Sequence, residues 1–92
     1  MIAHALVKVR GVQPLGGYRL RLLFSDGAVG DVDVEQFFRG PVFEPLRDHR
    51  LFKSVRADRA RGTVVWSNGA DLAPDMLREI AQLVAEPIAA TG

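Results

Sequence analysis

Two alternating stretches, Tyr18 to Phe24 and Ala28 to Asp33, flank the tripeptide Ser25-Asp26-Gly27, and this arrangement constrains the fold more than anything else in the chain. Alternation at period two is the pattern of a half-buried strand. A three-residue hairpin loop commonly ends in a glycine at positive φ, the place Gly27 would take. Pairing Phe24 with Ala28 sets Arg21 opposite Asp31, Arg19 opposite Asp33 and Leu20 opposite Val32. Opposite charges then meet across the strands, and apolar residues meet apolar ones. A slip by one residue would scramble both matches, so the side chains themselves specify the register.

The flanking sequence extends this hairpin. Leu6 to Val12 alternates, with Leu6, Lys8 and Arg10 on one side and Val7 and Val9 on the other, and predicts a first strand before the turn residues Pro14, Gly16 and Gly17. Asp33 followed by Gln36 resembles a capping box, predicting a short helix over Val34 to Arg39 that Gly40-Pro41 stops. Asp48 can cap a second short turn through Leu51 and Phe52. Val55 to Asp58 and Thr63 to Trp66 read as strands joined by a turn at Arg59 to Gly62, and Ser67-Asn68-Gly69 as a turn into Ala70 to Leu72. Pro74 suits the first position of a helix, and Met76, Leu77, Ile80, Leu83 and Val84 recur at helical spacing up to Pro87.

This order predicts an α+β fold: a mainly antiparallel sheet of about five strands, short helices in the middle and one C-terminal helix. Residues 1–86 read as a single domain, and Pro87 to Gly92, mostly small and uncharged, as a flexible tail. At 92 residues the core is thin, so a partner surface or a second copy would supply part of the burial; a homodimer is expected.

Composition narrows the chemistry. The absence of cysteine excludes disulfides, thiolate zinc sites and cysteine nucleophiles, and fits a reducing cytoplasm. His4 and His49 lie far apart and belong to no ligand-spaced motif, so no metal is expected. Ser25, Ser54 and Ser67 sit in no nucleophile elbow, and the glycines form no phosphate loop. Asp26, Asp31 and Asp33 are the densest acidic group, but β-periodicity turns the last two against arginines rather than a cation. No cofactor and no catalysis are expected. No signal peptide is legible, and no apolar run approaches the roughly 20 residues of a membrane span.

Two sets of residues are candidate binding sites. Lys8, Arg10, Arg19 and Arg21 would project from one sheet face if the first two strands pair with matched parity, and such a face can meet phosphates. Asp31 and Asp33 partly cancel it, and no interleaved aromatic platform accompanies it. With 12 Lys and Arg against 11 Asp and Glu, bulk charge argues neither for nor against nucleic acid. The second set is Trp66, Asn68 and Asp71. Trp66 would either pack in the core above an Asn68-Gly69 turn, or make a recognition edge with Asn68 and Asp71.

Phe24-Ser25-Asp26-Gly27, Gly40-Pro41-Val42-Phe43-x-Pro45-Leu46, Leu51-Phe52 and Val65-Trp66-x-Asn68-Gly69-Ala70-Asp71-Leu72-x-Pro74 form an ordered series. The series resembles the bacterial domain-of-unknown-function family 2442, from about Val7 to Val84. Ser67 stands where proline is common in that family. The resemblance implies a small α+β domain without established catalysis. Some such proteins carry a helix-turn-helix domain after this one, for which the residues beyond Val84 leave no room. Many stand-alone ones are similar to small proteins encoded next to a short toxin-like partner. It therefore implies a protein partner, the product of an adjacent gene, with nucleic acid as the alternative partner.

Overall fold

The computed structural model describes residues 6–85. His4 and the tail beginning at Pro87 lie outside the described residues. Three strands open the fold: β1 (Val9–Pro14), β2 (Arg19–Phe24) and β3 (Val29–Asp33). β2 and β3 pair antiparallel in the register that the charges predict, with Arg19 opposite Asp33, Leu20 opposite Val32 and Arg21 opposite Asp31. Phe24 N–H donates to Ala28 O, and Gly27 takes φ 90° to close the turn. Leu20, Leu22, Phe24 and Val32 are buried on one face of this sheet, as alternation requires.

β1 starts later than the alternation predicts and contains an irregularity. Val9 stands opposite Phe24 and Gly11 opposite Leu23, so Arg10 is an extra residue. This bulge resets the parity of the strand. Val9 points into the core before it, and Val12, opposite Leu22, lies on the core side after it. Pro14 is accommodated because β1 is the terminal strand of its sheet.

The middle of the chain is a series of single turns. A 3₁₀ turn over Val34–Phe37 begins at Asp33, whose Oδ1 accepts from Glu35 N–H at 3.0 Å, while Gln36 Nε2 donates back to Asp33 O at 2.7 Å. Gly40-Pro41 opens the next element, α1 (Gly40–Phe43), rather than only ending the previous one. Gly40 reaches φ 81°, and Pro41 follows it in the first turn, where its missing N–H costs nothing. A second 3₁₀ turn covers Glu44–Arg47, and Asp48 caps α2 (His49–Phe52) through Arg50 N–H. Leu46 and Phe52 carry these turns onto the sheet, where Tyr18 meets Phe38 and Phe52 edge-on.

β4 (Arg56–Asp58) and β5 (Thr63–Val65) form a separate two-stranded sheet. It is joined to β1 where Val9 N–H donates to Gly62 O at 2.8 Å. Of the segment Ala70 to Leu72, only Asp71 pairs with a strand, as a single bridge to Val65.

The last helix departs most from the sequence pattern. α3 runs only over Pro74–Ile80, and its final backbone bond is Ala81 N–H to Leu77 O. Ala81 turns extended, and β6 (Gln82–Leu83) pairs antiparallel with β3, Leu83 opposite Gly30 and Gln82 opposite Asp31. Val84 N–H then donates to Val29 O. The sheet order is therefore β1-β2-β3-β6. Without β6, the outer edge of β3 would lack these backbone partners. Satisfying it outweighs continuing a helix whose inward residues, beyond Leu77, have little left to bury.

Candidate functional site

Cations on the four-stranded sheet fall into two groups, Arg19 and Arg21 in the first half of β2 and Lys8 and Arg10 beside its far end. On the outer face, Arg21 grips Asp31 with both arms of its guanidinium, Nε to Oδ1 at 2.8 Å and Nη2 to Oδ2 at 3.0 Å. Arg19 reaches the same Oδ2 at 3.4 Å rather than its register partner Asp33, whose carboxylate caps the 3₁₀ turn. Hydrogen bonds from Arg21 hold the Asp31 carboxyl below its ordinary value; partial desolvation opposes them, and the charges of Arg21 and Arg19 add to the lowering. The Asp31 side chain is only 10% exposed and that of Arg21 18%. A phosphate arriving here would have to break a bidentate pair, the strongest arrangement a guanidinium makes.

Lys8 and Arg10 stand at the far end of the hairpin. Lys8 N–H donates to Ser25 Oγ, and Lys8 O accepts from Ser25 N–H. Along β2, Ser25 lies six residues from Arg19, roughly 20 Å at 3.3 Å per residue, and four residues from Arg21, roughly 13 Å. The expected four-cation face is therefore divided, by strand length and by the bulge at Arg10.

At their own end, Lys8 and Arg10 meet the turn at Arg59 to Gly62. The stem of Lys8 lies across Gly62, close enough that a Cβ there would come within 3.0 Å of Lys8 Cδ. Gly62 closes the β4–β5 turn, which carries Arg59 and Arg61, with Arg56 at the start of β4. Arg56 pairs with Asp58 at 3.1 Å and Arg61 with Asp71 at 3.4 Å. Lys8, Arg10 and Arg59 are exposed and have no ion-pair partner among the described residues. The signal was present in the sequence as three arginines between positions 56 and 61. Only the fold shows that Lys8 and Arg10 join them.

Trp66, Asn68 and Asp71 point three ways. Trp66 is 2% exposed, its ring beside that of Phe52 and its Nε1–H donating to Phe52 O at 2.9 Å. The indole is thus occupied in the core and offers no surface anchor. Asn68 builds the turn: Oδ1 accepts from Ala70 N–H, and Nδ2 donates to Val42 O at 2.9 Å, tying the turn to α1. Gly69, at φ 92°, completes it by donating its N–H to Trp66 O. Asp71 faces Arg61 and belongs with the basic group. Of the proposed recognition edge, Asn68 and Asp71 reach the surface, but separately.

A third surface lies where α3 passes into β6. Ile80 is 41% exposed and Leu83 56%, both large and apolar. β6 is the terminal strand of its sheet, so its outer edge carries no strand among the described residues. Among those residues, no three His, Cys, Asp or Glu side chains gather where they could hold a metal ion. Among the described residues, no helix is long and apolar enough to cross a membrane.

The hairpin, the turn built on Asn68 and the strand-terminated helix define a small α+β sheet domain whose most distinctive residues are structural. The chain belongs to the family described as "Protein of unknown function (DUF2442)", whose model matches residues 9–82. It is similar to a crystal structure from Nitrosomonas europaea ATCC 19718, that of "Putative DNA Binding Protein NE0471", with 35% identity and a TM-score of 0.60. That match covers 67% of this chain and 41% of the other, so this chain spans less than half the length of that protein. No curated protein matches.

Proposed function

We propose that this chain is a non-catalytic protein-interaction domain, the antitoxin-like or accessory member of a small two-gene bacterial module, whose partner is the product of the adjacent gene. The observation that carries this reading is the exposure of Ile80 and Leu83 at the outermost strand of the sheet. Exposed apolar residues beside a strand edge that no other described strand covers suit a partner that adds a strand and buries side chains in the same step. A chain of 92 residues without cysteine fits such a role in the cytoplasm, with self-association through the same edge in the absence of the partner. Co-expression with the adjacent gene product tests the reading. A stable complex that Leu83→Asp disrupts is expected; a chain that stays apart from that product at every concentration contradicts it.

A second reading, a nucleic-acid-binding or regulatory domain, is supported by the DNA-binding description of the Nitrosomonas europaea protein and by the basic group around Gly62. The Arg19–Arg21 face lends it little, because Asp31 already occupies both side chains.

A further inference from the structure

We propose that the end of the molecule formed by Lys8, Arg10, Arg56, Arg59 and Arg61 docks on the phosphate backbone of double-stranded nucleic acid. The proposal rests on the second reading above and gives it a location. Two segments far apart in sequence meet there through the Val9 N–H to Gly62 O bond, with the stem of Lys8 across the turn. These five cations face two carboxylates, Asp58 and Asp71, which leaves three positive charges uncompensated where the whole chain carries +1. The rest of the chain is therefore net acidic by two charges, and the molecule is polarised toward this end. Such a distribution orients a protein on a polyanion as well as attracting it.

The chemistry of the group favours phosphate. Four of the five cations are arginines, whose planar forks match phosphate oxygens in pairs. Arg10 and Arg59 have no ion-pair partner to give up among the described residues. No aromatic residue lies among the five, so the stacking platform of a single-strand binder is missing from the group and the duplex backbone is the better fit. Backbone contacts of this kind position a protein without reading sequence.

The test is fluorescence anisotropy of the full chain with a labelled 20-base-pair duplex of arbitrary sequence, between 50 and 200 mM salt. About three phosphate contacts give a slope of log K against log salt near −3, or about a 40-fold weakening across that range. Arg10→Ala with Arg59→Ala should reduce the slope to about −1 and the weakening to roughly 4-fold. Both residues are exposed and unpaired among the described residues, so circular dichroism should show the variant fully folded. Arg39→Ala with Arg50→Ala removes the same charge from near the Tyr18 end and should leave the slope unchanged. If the wild-type chain ignores the duplex at 50 mM salt, the second reading itself fails and takes the proposal with it. Binding whose slope is insensitive to the Arg10 and Arg59 changes overturns the location and leaves that reading standing. Displacement of the duplex by poly-glutamate of equal charge would overturn the assignment to phosphate in favour of an acidic protein.

Discussion

Gly30 offers the sharpest test of how α3 gives way to β6. It lies within β3, in no turn and with no positive φ, so nothing local calls for glycine. In an ordinary strand, alanine would be better there by about 0.5–1 kcal/mol, because glycine loses more backbone freedom on folding. Here, however, a Cβ would stand 2.7 Å from Ala81 Cβ, and 3.4 Å from both Gln82 O and Leu83 Cδ2. Carbon atoms rest at about 3.5–4.0 Å, so Ala81 would have to retreat by roughly 1 Å and carry β6 with it. Overpacking of this kind costs about 1–3 kcal/mol. After the intrinsic gain, Gly30→Ala should cost about 1–2 kcal/mol, or roughly 4–16 °C in a domain this size. Because the closest atom belongs to a side chain, Ala81→Gly should restore much of the loss. Urea denaturation of wild type, both single variants and the double variant completes a mutant cycle. A coupling of about 1 kcal/mol or more is expected. Gly30→Ala as stable as wild type, or no recovery in the double variant, would refute the packing argument.

Other consequences are more local. Trp66→Phe keeps most of the buried ring but leaves Phe52 O with only the longer bond from Val55 N–H at 3.3 Å, and should cost about 1–2 kcal/mol in thermal unfolding. Asn68→Ala removes bonds to both Ala70 N and Val42 O, and should cost about 1–2 kcal/mol while loosening α1, read as faster hydrogen exchange there. The Asp31 carboxyl sits below its ordinary value of 3.8, so its pairing stabilises the fold above that pH, and the contribution fades as pH falls through the lower folded value. The stability gap between wild type and Asp31→Asn should therefore be widest above about pH 5 and narrow progressively in more acid solution, which acid titration of the unfolding midpoint will show.

The parts of the fold legible in the sequence are those where neighbouring residues report on each other. Arg19, Arg21, Asp31 and Asp33 specify the β2–β3 register because charge and alternation agree, and Asp33 and Asp48 mark turn starts through their own backbone bonds. The end of α3 was not legible. Leu83 and Val84 keep helical spacing, but the free edge of β3 is a demand made by residues some fifty positions earlier, and no local pattern records it. The basic group was hidden for the same reason. Strand parity alone groups Lys8 and Arg10 with Arg19 and Arg21, whereas the bulge and the Val9–Gly62 contact place them with Arg56, Arg59 and Arg61. For Trp66 the sequence favours the core and leaves a surface edge as the alternative; the acceptor at Phe52 O, across 14 residues of chain, decides it for the core.

The central claim, that the α3–β6 edge receives a protein partner, is tested most directly by light scattering on size-exclusion chromatography of the chain co-expressed with the adjacent gene product. One peak of the summed mass is predicted for wild type, and two separate peaks for Leu83→Asp. Two separate peaks for wild type, or a complex indifferent to Leu83→Asp, would contradict it.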